Sequence, residues 1–189
     1  MKILILGNSF TFTNDMPETL AELTGAEVTA HTRGGARLAE HLNPSTKMGS
    51  MTQTAFQSED WDYVILQEMS NGPITSKEKF QKNTGLLCEQ IRACHAVPIL
   101  YATWAYQKDG KKLRSFGMDY DEMYQEMYAS YHEAAEQNDA LIADVGKAFY
   151  ELSESRNLYA EDGYHPNEEG SRLAAQIIAD TIKEYESTH

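Results

Sequence analysis

The opening of the chain constrains its fold more than any other stretch. Ile3-Leu4-Ile5-Leu6 is an unbroken apolar run that stops at Gly7-Asn8. A short run without polar alternation is the pattern of a strand covered on both faces, as in a parallel sheet with helices above and below it. Trp61-Asp62-Tyr63-Val64-Ile65-Leu66-Gln67 and Val97–Ala102 have the same character, and Glu27–His31 and Ala140–Asp144 read as two further strands.

Helical patterns separate these runs. Asp15-Met16-Pro17-Glu18 has the form of a helix start, with Asp15 as cap, Pro17 in the first turn and Glu18 at capping-box spacing. Leu20 and Leu23 supply its apolar face. A short helix is expected over Met48–Phe56. Thr75-Ser76-Lys77-Glu78 is a second capping box, opening a helix to about His95 with Phe80, Leu87 and Ile91 inward. Tyr120–Glu136 carries Met123, Met127 and Tyr131 at spacing four, and a helix is expected after the fifth strand to about Ser153. The last, from about Asn167 to Tyr185, sets Leu173, Ile177, Ile178 and Ile182 on one face. Met69–Pro73 reads as a loop, and Thr103–Gly117 has neither period, so a structureless functional or mobile segment is expected there. Strands alternating with helices imply right-handed crossovers. The expectation is an α/β protein: one domain over residues 1–189, a three-layer α/β/α sandwich around a mostly parallel five-stranded sheet.

Bulk properties narrow the partners. A net charge of -13 disfavours nucleic acid and anionic membranes, both of which need a basic surface, and disfavours a highly anionic substrate unless a local basic patch overrides it. No apolar run is long enough to span a bilayer, and Ile3–Leu6 is too short for a signal peptide. The chain as it stands reads as cytoplasmic, or as periplasmic or secreted if a leader has been removed ahead of it. Cys88 and Cys94, six apart in a helical pattern, match neither a zinc nor a redox pair and read as reduced thiols.

The residues that carry chemistry lie at loop positions. Ser9 follows the first strand, where α/β sheets place their ligand crevice. A hydroxyl is a weak nucleophile that needs a base in reach and donors for the developing oxyanion. Asp162-Gly163-Tyr164-His165-Pro166 offers the base: His165 accepts a proton near neutrality, and Asp162, three residues earlier, can hold its other ring nitrogen. Besides the Ser9 N–H, candidate oxyanion donors are the Gly35 N–H in the Arg33-Gly34-Gly35-Ala36 turn and the side chain of either Asn71 or Gln67, both beyond the third strand. Trp104 and Tyr106, with Tyr101, sit past the fourth strand as candidate substrate-binding rings. Lys108, Lys111, Lys112 and Arg114 are either a solvated loop or a patch that steers an acidic sugar. Tyr120, Tyr124, Tyr128 and Tyr131 share one helix, as a subunit surface or as half-core positions. His31, His41, His95, His132 and His189 have no setting that suggests a role.

Two other readings stand beside hydrolysis. Ser9-Phe10-Thr11-Phe12-Thr13-Asn14 has hydroxyls at alternate positions, as a phosphate-cradling loop of a flavodoxin-like nucleotide-binding module would. Asp15 would repel such a phosphate, and Asp162 and His165 would have no task. The other alternative is a catalytically inactive ligand-binding domain of the same fold.

Gly7-Asn8-Ser9, Gly35, Asn71 and Asp162…His165 resemble, in order, the Ser, Gly, Asn and His blocks of the SGNH (GDSL-like) hydrolases. Gly-Asn-Ser-Phe-Thr and Leu66-Gln67-Glu68-Met69-Ser70 are most similar to an uncharacterised bacterial subgroup. Asn8 replaces the Asp usual in the first block, and Gly72 follows Asn71 where many relatives have Asp, so Gln67 stays open beside Asn71. The resemblance implies a three-layer fold and hydrolysis of carboxylic esters, with Ser9, His165 and Asp162 as the catalytic set. It also implies no metal or organic cofactor, and a small-molecule or carbohydrate ester as substrate.

Overall fold

The apolar runs become strands because their side chains alternate into two cores. In the computed structural model, which describes residues 1–188, β1 (Lys2–Gly7) sends Ile3 and Ile5 to one face and Leu4 and Leu6 to the other, all four fully buried. His189 lies outside the described residues. The other strands are β2 (Glu27–Thr32), β3 (Tyr63–Leu66), β4 (Val97–Tyr101) and β5 (Leu141–Ala143). All pair in parallel, in the order β2-β1-β3-β4-β5, with Leu4 beside Thr29 and Val64.

The helices are α1 (Ser9–Phe12), α2 (Met16–Thr24), α3 (Leu38–Leu42), α4 (Lys47–Ser58), α5 (Gly72–Thr75), α6 (Lys77–Ala93), α7 (Lys111–Phe116), α8 (Tyr120–Gln137), α9 (Val145–Leu152) and α10 (Glu168–Thr188). One layer packs Leu38, Ala55, Phe80, Leu87, Ile91, Met123, Met127 and Tyr131 against Leu4 and Leu6. The other packs Met16, Leu20, Phe149, Ala174, Ile178 and Ile182 against Ile3 and Ile5. Each large apolar side chain fully buried contributes roughly 1.5–3 kcal/mol. The sheet order reverses at β1, whose neighbours β2 and β3 lead to opposite sides, and an α/β sheet opens its ligand crevice at the carboxyl ends of such strands.

Several local expectations yield to tertiary contacts. Asp15 does not cap α2: it is left-handed (φ 52°), its side chain makes no cap bond, and Asn14 before it is left-handed too (φ 56°). Asn and Asp tolerate that region better than other side chains. The turn lets Asn14 Nδ2 donate to the Pro166 carbonyl (3.1 Å) and to Ser171 Oγ (2.9 Å), tying the first loop to the last helix. The Thr75 capping box does not form either. Thr75 ends α5, a single turn that begins inside the expected Met69–Pro73 loop, and its hydroxyl donates to the Asn71 carbonyl. Leu23 is 44% exposed, and Leu173 and Ile177 lie at the edge of a face centred on Ala174, Ala175, Ile178 and Ile182. Thr103–Gly117 is not structureless: Trp104, Ala105 and Tyr106 are buried, and Lys111–Phe116 forms α7. Tyr120, Tyr124 and Tyr131 are buried, leaving only Tyr128 of that set half-exposed. Cys88 is buried, and both thiols are free.

Candidate active site

Where β1 ends, Asn8 is extended and its Oδ1 accepts the Phe10 N–H (3.1 Å), capping α1. Its Nδ2 donates to the Ala36 carbonyl (3.0 Å), and its backbone N–H donates to Gln67 Oε1 (2.9 Å). The same Gln67 oxygen accepts the Thr11 hydroxyl (3.0 Å), and Gln67 Nε2 donates to the Glu68 carbonyl. Asn8 is thereby fixed three ways, and Ser9 follows as the first residue of α1, half-buried. Gly7 is required just before it, because a Cβ there would stand 2.5 Å from Thr11 Oγ1 and 2.8 Å from Gln67 Oε1. The alternating hydroxyls do not form a phosphate cradle. Thr11 is buried on Gln67, and Thr13 Oγ1 donates back to the Ser9 carbonyl.

The loop before α10 meets this turn. Ser9 Oγ lies 2.8 Å from His165 Nε2, and His165 Nδ1 lies 2.6 Å from Asp162 Oδ2. Asp162 Oδ1 accepts the N–H groups of Tyr164 (3.1 Å) and His165 (3.0 Å), with Gly163 left-handed at φ 74° so that the loop can fold back. The Phe10 ring meets the His165 ring edge-on, centroids 5.4 Å apart. Burial pushes the Asp162 carboxyl up, but the hydrogen bonds from His165 and the two N–H groups outweigh it and hold its pKa below the usual carboxylate value. A carboxylate that stays ionised can fix the imidazole tautomer and stabilise its protonated form.

Of these residues, Ser9, Phe10 and Tyr164 line a cleft of about 450 Å³. Gly35 and Asn71 line it beside Ser9. Gly35 is left-handed (φ 68°) in the turn closed by the Ala36 N–H on the Arg33 carbonyl, and its own N–H is unpaired among the described residues. The Asn71 side chain makes no hydrogen bond among the described residues, whereas Gln67 is fully buried with both amide atoms engaged, away from the cleft. Tyr106 reaches the cleft wall with its hydroxyl 3.1 Å from Ser70 Oγ. Trp104 does not line the cleft: it is fully buried, stacked between Phe10 (4.8 Å) and Phe149 (4.1 Å), and its Nε1 donates to the Tyr164 carbonyl. It braces the Ser9 and His165 loops from beneath. A larger hollow of about 560 Å³, lined by residues of α7 and the start of α8, contains neither serine nor histidine, so the chemistry rather than the size selects the site.

Two features, Arg37 and Glu68, escape sequence reading. Arg37 lines the cleft, and its only signal is its place two residues after Gly35. Lys112 also lines it, one of four basic residues the sequence could not rank. Glu68 is buried just behind, raised above the usual carboxylate range by desolvation although the Met69 N–H (2.7 Å) and the Leu38 N–H donate to it. His132 pairs with Asp144 (2.8 Å) and stacks on Tyr128, with no nucleophile bonded to it among the described residues. Among the described residues no group of three or more His, Cys, Asp or Glu is placed to hold a metal ion, and no helix is long and apolar enough to cross a membrane.

A parallel 2-1-3-4-5 sheet between helical layers, with Ser, Gly, Asn and His blocks meeting at its carboxyl edge, is the architecture of the SGNH (GDSL-like) hydrolases. The chain belongs to the family described as Domain of unknown function (DUF4886), which matches residues 40–179. It is similar to a candidate SGNH hydrolase from Slackia heliotrinireducens, with 48% identity, 96% of this chain and 98% of that one covered, and a TM-score of 0.93. A DUF4886 family protein from Bacteroides uniformis aligns at 21% identity over 97% of this chain and 83% of that one (TM-score 0.68). The fold also aligns with an acetyl xylan esterase, AlAXEase, at 16% identity over 98% and 99% of the two chains (TM-score 0.69). No functionally curated protein matches the sequence.

Proposed function

We propose that this protein is a serine esterase that cleaves carboxylic esters through an acyl-enzyme. The observation that carries the reading is the continuous line from Ser9 Oγ to His165 Nε2 (2.8 Å) and from His165 Nδ1 to Asp162 Oδ2 (2.6 Å), with Ser9 on the wall of the cleft. His165 takes the Ser9 proton as Oγ attacks the ester carbonyl. Asp162 orients the ring and offsets its charge. The N–H groups of Ser9 and Gly35 and the side-chain amide of Asn71 receive the oxyanion. Asn71 is assigned this role over Gln67 because its amide is free and faces the cleft. Collapse of the tetrahedral adduct breaks the ester C–O bond, and His165 returns the proton to the departing alcohol. Water then adds to the acyl carbonyl with His165 again as base, releasing the acid and restoring Ser9.

A short acyl group, on a small-molecule or carbohydrate alcohol, is the substrate class we favour. Tyr164 lines the cleft part-exposed, as a ring against which such an alcohol can pack, with the buried Tyr106 edge-on beside it, and one fold relative is an acetyl xylan esterase. The test is hydrolysis of p-nitrophenyl acetate by the wild type and Ser9→Ala, followed by longer acyl chains. Ser9→Ala should lose about 10⁴-fold or more, and adding His165→Ala should cost little further, because residues that act as a unit are not additive. Equal activity in wild type and Ser9→Ala would refute the nucleophile.

A further inference from the structure

We infer that the alcohol portion of the ester carries an anionic group, a carboxylate or one of similar size, and that Lys112 with Arg37 recognises it; this rests on the esterase reading above. Acidic residues outnumber basic ones 29 to 16 in this chain, yet the residues lining the cleft include Arg37 and Lys112 and no Asp or Glu. Among the described residues neither cation is held in an ion pair, although Arg37 also lies near enough to the buried Glu68 to draw its carboxyl pKa down against the larger effect of burial. Arg33 holds Glu40, Lys108 holds Glu154 and Arg156 holds Glu169, while neither Arg37 nor Lys112 has an ion-pair partner among the described residues.

Lys112 is aimed. Leu113 beside it is buried and anchors α7, and the Lys112 ammonium lies 4.6 Å from the centre of the Tyr164 ring and 5.6 Å from that of Tyr106. Cation–π contact of this kind holds an ammonium in one place without neutralising it, leaving its charge for a ligand. Both rings line the cleft. The position says which half of the ester the charge belongs to. Tyr164 precedes His165, and their ring centres are 4.3 Å apart. His165 is the group that returns the proton to the departing alcohol, so the space beside Tyr164 is where that alcohol leaves. Arg37 approaches from a different element, at the start of α3 and two residues from Gly35. An anion between two such cations gains interactions a neutral isostere lacks, worth about tenfold when the cations are partly solvated.

The experiment compares 4-acetoxybenzoate with its neutral isostere 4-acetoxybenzamide, as a ratio of kcat/KM, in the wild type, Lys112→Gln, Arg37→Gln and the double variant. Taking the ratio of ratios between variant and wild type cancels the different leaving-group reactivity. The expected result is that the carboxylate's relative kcat/KM falls about tenfold in the double variant, and that in the wild type it falls at high salt, which screens exposed charges. An unchanged ratio would overturn the inference. So would a charge preference that appears only for mono-p-nitrophenyl glutarate, which carries its carboxylate on the acyl side. Ser9-dependent hydrolysis of the neutral ester reports on the esterase reading separately. If no ester turns over, that reading fails, and calorimetric titration with 4-hydroxybenzoate and 4-hydroxybenzamide decides the anion site: carboxylate-selective binding lost in Lys112→Gln supports it, and equal or absent binding overturns it.

Discussion

Replacing Gln67 with leucine separates a scaffold role from a catalytic one. The volume is nearly kept, but three buried groups lose their partner: the Asn8 N–H, the Thr11 hydroxyl and the Glu68 carbonyl. Each unsatisfied buried polar group costs roughly 1–3 kcal/mol, and the added apolar surface offsets part of it, so the net loss is about 3–5 kcal/mol. That is a large share of the roughly 5–15 kcal/mol that holds a domain folded. For a chain of this size it lowers the melting temperature by about 10 °C, read by scanning calorimetry. Because Asn8 is the residue that sets Ser9 in place, turnover should fall as well, in the protein that remains folded. A melting point within about 2 °C of the wild type would refute the assignment of Gln67 as the clamp on this turn, since it would correspond to less than one unsatisfied group.

Two further outcomes are expected. Asn71→Ala should lower kcat by about 10²–10³-fold with little change in melting temperature, because that side chain has no partner among the described residues; unchanged turnover would remove Asn71 from the oxyanion site. His41 is wholly buried, its Nδ1 is 2.9 Å from Thr52 Oγ1, its Nε2 is unpartnered among the described residues, and burial with neighbouring His31 lowers its pKa to about 4. The folded ring stays neutral while the unfolded one takes a proton below the ordinary histidine value of 6.5, so stability present above that value is lost as pH falls toward 4, by at most about 3 kcal/mol. Urea midpoints across that range should drop less steeply in His41→Gln than in the wild type, and parallel curves would refute the neutral buried imidazole.

The parts of this molecule legible in its sequence are those in which one residue type settles one local question. The run Ile3–Leu6 has only one sensible burial, and the alternation of its side chains into two cores follows from strand geometry. Asp162 and His165 are close enough in the chain to find each other without help from the fold. The misread parts depend on distant partners. Asp15 loses its cap because Asn14 is needed at Pro166 and Ser171. Trp104 reads as a binding ring until Phe10 and Phe149, from two other elements, sandwich it. Gln67 and Asn71 cannot be told apart until the Asn8 turn engages one of them and leaves the other free. Arg37 carries no local signal beyond its place two residues after Gly35, because an exposed arginine is ordinary until the charge of its surroundings is known.

The contact between Ser9 and His165 joins residues 156 positions apart, and the Asn14 bonds to Pro166 and Ser171 fasten the same two ends. Synthesis runs from the amino end, so all five strands, the last ending at Ala143, have been joined before Asp162 and His165 are added. On the proposed mechanism the serine would until then lack its base, and the growing chain would be inert toward esters. A product of stalled translation or of trimming ahead of Asp162 would be inert on the same mechanism. Hydrolytic competence would arise only once the loop carrying Asp162 and His165 has been made and seated against the Ser9 turn.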